Sequence, residues 1–292
     1  GRLAAIAYCK KLTFLTSAPG EDVVSAVEID CESLRKAILP AMRQVEELAD
    51  VMQRYSRVFQ ERRTKSTHFF QVEMDGVAES ASQFLDWQEL EVYLGQVAPV
   101  AFDAQRFLYA PRITEWVRAQ GLSLPVTTVV IKAPNAEREV FKPYQTRNRT
   151  SHVRGGNFDF YVKDICFYPE HVTPESTFWV WYGKTDLLGT IEDEQVAGLR
   201  LRAKNISIGG ADPVTELFGA RAKTDGRFNA WYMGEIHITT PDAIPNARRD
   251  GFEDTQAWLR TRTDLLSFIQ ERIKDVRRLS QDRNQPRKIE RS

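Results

Sequence analysis

A chain of 292 residues, 42% hydrophobic and 27% charged, has the composition of an ordinary globular protein and the length for about two domains with separate cores. Lys plus Arg and Asp plus Glu number 40 each, so no global field recruits nucleic acid or an anionic membrane, and any such binding has to be local. Cys9, Cys31 and Cys166 are odd in number, far apart and outside metal-ligand spacing, and they read as buried thiols in a reducing, cytoplasmic compartment. No run reaches the roughly 18 apolar residues of a membrane span, and the first residues lack a basic-then-apolar leader pattern.

The segment from Gly1 to Cys9 is a small-residue turn and short helix, leading into a strand at Leu12–Thr16. A second strand follows the Pro19-Gly20 turn over Val23 to Asp30, so the two form a hairpin. From Glu32 to about Arg63 the apolar residues Leu34, Ile38, Met42, Val45, Leu48, Val51, Met52, Tyr55 and Phe59 recur at steps of mostly three or four. That period predicts helix throughout, broken at Pro40. Thr67 to Met74 is a strand, Asp86 to Ala98 a helix ending before Pro99, and a domain boundary is placed near Val100.

Beyond it, an apolar helix is expected over Ala104 to Ala119, with strands at Val126–Ile131 and Val140–Phe141. Arg147, Arg149 and Arg154 then stand with Gly155 and Gly156 in a predicted loop. It is a candidate contact for phosphate or nucleic acid, though not a favoured one without interleaved aromatics. Asn157–Tyr168 and Thr177–Tyr182 alternate aromatic with other residues, as adjacent antiparallel strands do. Leu199–Ile208 is a further strand, Pro213–Phe218 a short helix, and Thr255 to about Leu279 a long helix with Leu266, Ile269, Ile273 and Val276 on one stripe. His68, His152, His171 and His237 are isolated from one another, and no Ser-His-Asp set or phosphate loop of the Walker type is present.

The chemistry concentrates between Trp231 and Glu253. A buried strand, Trp231 to Thr239, is ended by Pro241 and Pro245, which cannot donate to a sheet ladder. Asn246, Ala247, Arg248, Arg249 and Asp250 are thereby held in a defined turn ahead of a helix. Two arginines before a helix N-terminus suit an anionic phosphate. Surface Arg–Asp pairing is the plain alternative.

Ile-Pro-Asn-Ala-Arg-Arg-Asp at 244–250 resembles the Leu-Pro-Leu-Asn-x-Ser-Arg-Glu turn of the ninety-kilodalton heat-shock chaperones, which belong to the GHKL ATPases. Leu199–Ile206 is similar to the basic strand preceding that turn, and Gly1–Cys9 to the second glycine box, with Ala4 and Ile6 where two glycines would stand. The resemblance implies an α+β chain. Residues 1–100 would be the C-terminal part of a GHKL (Bergerat-type) α/β sandwich with a helical insertion at about 32–63. Residues 101–292 would be a middle-domain α/β transducer with a mixed sheet, a long C-terminal helix and a basic tail. It further implies ATP as ligand, with Arg249 reaching the γ-phosphate, Asn246 fixing the turn, Gly1, Arg2 and Leu3 at the phosphates and Thr67 near adenine.

The family's asparagine box, which carries the Mg2+ ligand and the general base, precedes the glycine box and has no counterpart here. The chain is therefore expected to be the C-terminal part of a longer ATP hydrolase, inactive by itself. In that protein ATP hydrolysis would be coupled to conformational change or to closure of a homodimer. A non-enzymatic protein- or nucleic-acid-interaction module of the same fold is the other reading.

Overall fold

The computed structural model describes residues 4–38, 47–62, 68–152, 156–187 and 189–289, with side chains at 48, 150–158 and 282–289 excepted. Two compact units divide the chain, Gly1–Leu90 and Glu91–Ser292.

In the first unit, β1 (Lys11–Ser17), β2 (Val23–Asp30), β3 (Ser56–Arg62) and β4 (Phe69–Asp75) form an antiparallel sheet in the order β3-β2-β1-β4. The expected hairpin is there, with Leu12 opposite Ile29 at its centre. Asp30 ends β2 and caps α1 (Cys31–Ile38), its Oδ1 accepting from Ser33 N at 2.9 Å. That cap satisfies one of the N–H groups a helix start leaves free. Leu34 of α1 and Val51 of α2 (Leu48–Arg54) join Cys9, Leu12, Ile29 and Cys31 in a small core.

The predicted helix over 32–63 is corrected: two short helices occupy parts of it, and Ser56–Arg62 is the edge strand β3. Phe59 holds the spacing of the helical series, yet it pairs with Ala26 of β2. Pro40, read as a helix break, lies outside the described residues.

The division at Leu90 falls within α3 (Trp87–Val97), which is capped by Asp86, whose Oδ1 accepts from Gln88 N at 2.9 Å. Asp103 makes its own turn, so α4 spans only Ala110–Ala119 rather than 104–119, with Pro111 in its first turn. Strands expected at 126–131 and 140–141 are displaced. The paired residues are β5 (Val130–Ala133) and β6 (Ala136–Glu139), a two-stranded ribbon.

A six-stranded sheet follows, in the order β11-β10-β12-β9-β8-β7, from β7 (Arg147–His152), β8 (Gly156–Tyr168), β9 (Phe178–Thr185), β10 (Gly198–Ala203), β11 (Ile206–Ile208) and β12 (Met233–Ile238). The predicted loop with Arg147 and Arg149 is instead strand β7, paired with β8. The single strand expected over 199–208 is a hairpin, because Lys204 and Asn205 turn the chain with φ of 50° and 65°. That conformation suits Asn better than most residues. β10 and β12 are parallel, as a crossover demands, and α5 (Asp212–Phe218) lies on the connection between them.

Side chains alternate across this sheet. Leu199, Leu201, Val180 and Ile236 face α5 and α6 (Gln256–Ile289), while Trp179, Trp181 and Met233 face α4. Along α6 the predicted stripe is buried at Ile269, Ile273 and Val276 and half-buried at Leu266, and Leu265 and Phe268 widen it. Each fully buried side chain of this size contributes roughly 1.5–3 kcal/mol relative to exposure. The chain is α+β, with several sheets and a long C-terminal helix. Among the described residues no helix is long and apolar enough to cross a membrane.

Candidate functional site

β12 delivers the chain to the candidate site. Gly234 in that strand has φ of 150°, and a Cβ there would lie 2.2 Å from the Trp181 carbonyl oxygen, so only glycine lets β12 lie this close to β9. After Ile238 the chain bends at Pro241 and enters a closed turn. Pro245 and Phe252 bridge its ends, Asn246 N donates to Gly251 O at 3.0 Å, and Glu253 N donates to Ile244 O at 2.8 Å. Inside, Arg249 N donates to Asn246 O at 3.0 Å, and Asn246 Nδ2 donates to Asp250 Oδ1 at 2.7 Å. Asp250 N returns a longer bond, 3.3 Å, to Asn246 Oδ1.

The turn puts Arg249 at φ 58°, a left-handed conformation unusual for a residue with a Cβ. The bonds around it hold it there. Arg248 and Arg249 are both exposed, and neither makes an ion pair or side-chain hydrogen bond among the described residues. The Asp250 carboxylate is engaged by the Asn246 amide rather than by either guanidinium. Asn246 is thus the turn's internal brace.

Three contacts anchor the turn to its surroundings. Gly209, after β11, has φ of 66°, and a Cβ there would lie 2.7 Å from the Asp250 carbonyl oxygen. Phe252 is buried and stacks on Trp258 of α6, ring centroids 4.3 Å apart. Thr255 ties the turn to the helix start: its Oγ1 donates to Asp242 O at 3.0 Å and accepts from Trp258 N at 3.1 Å.

The upstream basic strand has a different fate. Arg200 and Arg202 of β10 alternate with Leu199 and Leu201, and both guanidiniums are buried on the α4 side of the sheet. Arg202 Nη2 lies 2.7 Å from Glu235 Oε1, close enough for an ion pair but too oblique for a hydrogen bond. Lys142 Nζ donates to both Glu235 oxygens, at 2.6 and 2.9 Å, and to Asn205 Oδ1 at 2.8 Å. His237 Nε2 is 3.1 Å from Glu235 Oε2, and its ring stacks on Trp179 at 4.1 Å.

Burial alone would raise the Glu235 carboxyl, but the Arg202 and Lys142 cations hold it well below the usual range. Burial pushes Lys142 down to about 7 against the pull of Glu235, and pushes His237 down to about 4. This network braces the sheet and lies apart from the exposed arginines. Sequence reasoning missed Lys142 and Glu235 as its members. The available signal was register: with β10 and β12 paired in parallel, Arg200 stands opposite Glu235 and Arg202 opposite His237.

Gly1, Arg2, Leu3 and Thr67, assigned to phosphate and adenine contact, lie outside the described residues, as does Arg154. Arg147 is spent on Asp159, its Nε donating to Oδ2 at 2.8 Å. Among the described residues no group of three or more His, Cys, Asp or Glu is placed to hold a metal ion. Comparison of the chain with protein-family models finds no match, and comparison with curated proteins finds none either.

Proposed function

We propose that this chain is part of a GHKL-type ATP hydrolase resembling the ninety-kilodalton heat-shock chaperones, with Arg249 as its γ-phosphate sensor. The observation that carries the reading is the Arg249 turn. A guanidinium that is always charged stands exposed and unpaired among the described residues, on a backbone fixed in a sparsely populated conformation. A residue held so at a cost of order 1–3 kcal/mol is the kind that serves binding rather than packing.

The donor chemistry fits a phosphoryl group, whose oxygens take charge-assisted hydrogen bonds from guanidinium N–H. Asn246 braces the turn, so the guanidinium needs little ordering when it binds. Gly1, Arg2, Leu3 and Thr67 are the positions the resemblance assigns to the rest of ATP. Bound Mg2+ would offset phosphate charge, and its family ligands have no counterpart in these residues. The Phe252–Trp258 stack and the Thr255 cap link the turn to α6, which gives a contact at Arg249 a mechanical route into a long helix. Coupling to conformational change or to closure of a dimer would follow that route.

A sensor of this kind has to favour ATP over ADP, because only differential affinity moves an equilibrium. In the full-length protein, calorimetric affinities for a non-hydrolysable ATP analogue and for ADP should differ. Arg249→Ala should shrink the ratio roughly 10- to 100-fold, the worth of hydrogen bonds to a charged group, while ADP affinity stays unchanged. A ratio unaffected by the substitution would remove Arg249 from the site.

A further inference from the structure

The first unit contains two thiols that ATP chemistry does not use. Cys9 precedes β1 and Cys31 opens α1, and both are buried. Their sulfurs are 3.9 Å apart, and Cys9 Sγ also lies 3.3 Å from the Ala5 carbonyl oxygen. The sheet ladder keeps them there: Lys11 stands opposite Asp30, and Cys31 N donates to Lys10 O at 2.9 Å. Two residues 22 apart in sequence are thus held as neighbours by backbone hydrogen bonds on both sides. A disulfide needs its sulfurs about 2.05 Å apart, so two sulfurs at 3.9 Å have to close by about 2 Å.

The surroundings distinguish this pair from two inert core cysteines. Arg35 Nη1 donates to the Cys9 carbonyl oxygen at 2.7 Å and also to the Ile6 carbonyl, so a guanidinium lies beside the sulfurs. Burial and the neighbouring Cys9 push the Cys31 thiol up to about 11, with Arg35 acting in the opposite sense. Burial thus works against a thiolate at Cys31, while Arg35 is the charge that favours one. Burial also selects the oxidant. Both sulfurs belong to buried residues, so the oxidant has to be small.

We propose that Cys9 and Cys31 are a redox-sensitive pair, which hydrogen peroxide converts into a disulfide joining the entry of β1 to α1. The Cys9 sulfur, as thiolate, attacks one peroxide oxygen; the O–O bond breaks, and the departing hydroxide takes up the thiol proton as water. The Cys31 sulfur then attacks the sulfenic sulfur of Cys9. The S–O bond breaks, and the second hydroxide leaves with the Cys31 proton, again as water. Two thiols lose two electrons, and one peroxide is reduced to two waters. The second step needs no diffusing partner, because the resolving sulfur is already in contact. The inference does not rest on the ATP reading.

The test treats the full chain with graded hydrogen peroxide, alkylates the remaining thiols in denaturant, and maps non-reduced peptides by mass spectrometry. The expected product joins the Cys9 and Cys31 peptides, is lighter than their sum by two hydrogens, and is reversed by dithiothreitol. Cys166, half-buried in β8, should stay alkylatable at the doses that close the pair. Cys9→Ser and Cys31→Ser should each abolish the link. Sulfinic acid on either residue without a link, a link to Cys166, or both thiols still free after Cys166 has been oxidised would each overturn the proposal, and these outcomes are read in the unsubstituted chain even if a variant fails to fold.

Discussion

Glu235 shows how one residue decides the charge state of its neighbours. It is buried among Lys142, Arg202, His237 and Asn205, and the two cations keep it ionised while burial keeps His237 neutral. The consequence for pH follows from proton linkage. His237 has a folded pKa near 4, below its ordinary 6.5, so between those values the unfolded chain binds more protons and stability falls as pH falls. The groups that face the ring are Glu235, which favours its charging, and Lys142 and Arg202, which oppose it. Acidification from pH 6.5 to 4 should therefore cost the unsubstituted chain on the order of 3 kcal/mol more than His237→Gln, read from urea unfolding at each pH. Parallel pH profiles would contradict the assignment. Lys142 adds a second limb: its pKa is pushed down to about 7, so stability should rise again as pH goes from 7 towards 10.

Elements were legible in the sequence where one physical demand dominated. β12 is buried and carries Ile236 and Ile238 in alternation, and Pro241 and Pro245 mark where it has to stop, so strand and turn are both found close to the predicted places. The α6 stripe was legible because its face packs on a core: Ile269 and Ile273 are buried, whereas Lys274 is exposed. Ile273→Ala should lower the free energy of urea unfolding by about 2–4 kcal/mol, and Lys274→Ala by less than about 0.5. Equal effects would mean that the helix does not pack as described.

Edge strands and buried ion pairs were not legible. Only Ser56, Phe59 and Tyr55 in and beside β3 are even half-buried, so its sequence Ser-Arg-Val-Phe-Gln-Glu-Arg carries no firm two-residue alternation, and Phe59 falls into the helical spacing of what precedes it. The β10–β11 hairpin was missed because its turn is made by Lys204 and Asn205 rather than by glycine. Arg200 and Arg202 were read only as part of the basic strand of the resemblance, since charge in a strand says nothing about which partner lies across the sheet.

For the whole molecule, the proposed function joins a fixed turn to ATP hydrolysis, which that proposal places in a longer protein. Arg248 and Arg249 are adjacent, both exposed and chemically identical, so composition does not choose between them. Backbone conformation does: Arg249 alone is held at positive φ, between the Asn246–Asp250 brace and the Phe252–Trp258 anchor. A donor that acts on charge developing at the γ-phosphate should affect turnover more than ATP affinity. The most direct measurement is the steady-state ATPase rate of the full-length protein beside its Arg249→Ala and Arg248→Ala variants. The expected result is a fall in kcat of roughly 10- to 1000-fold for Arg249→Ala, the range for removing one transition-state donor, with Arg248→Ala near the unsubstituted rate. Near-normal rates in both variants, or a collapse confined to Arg248→Ala, would contradict it.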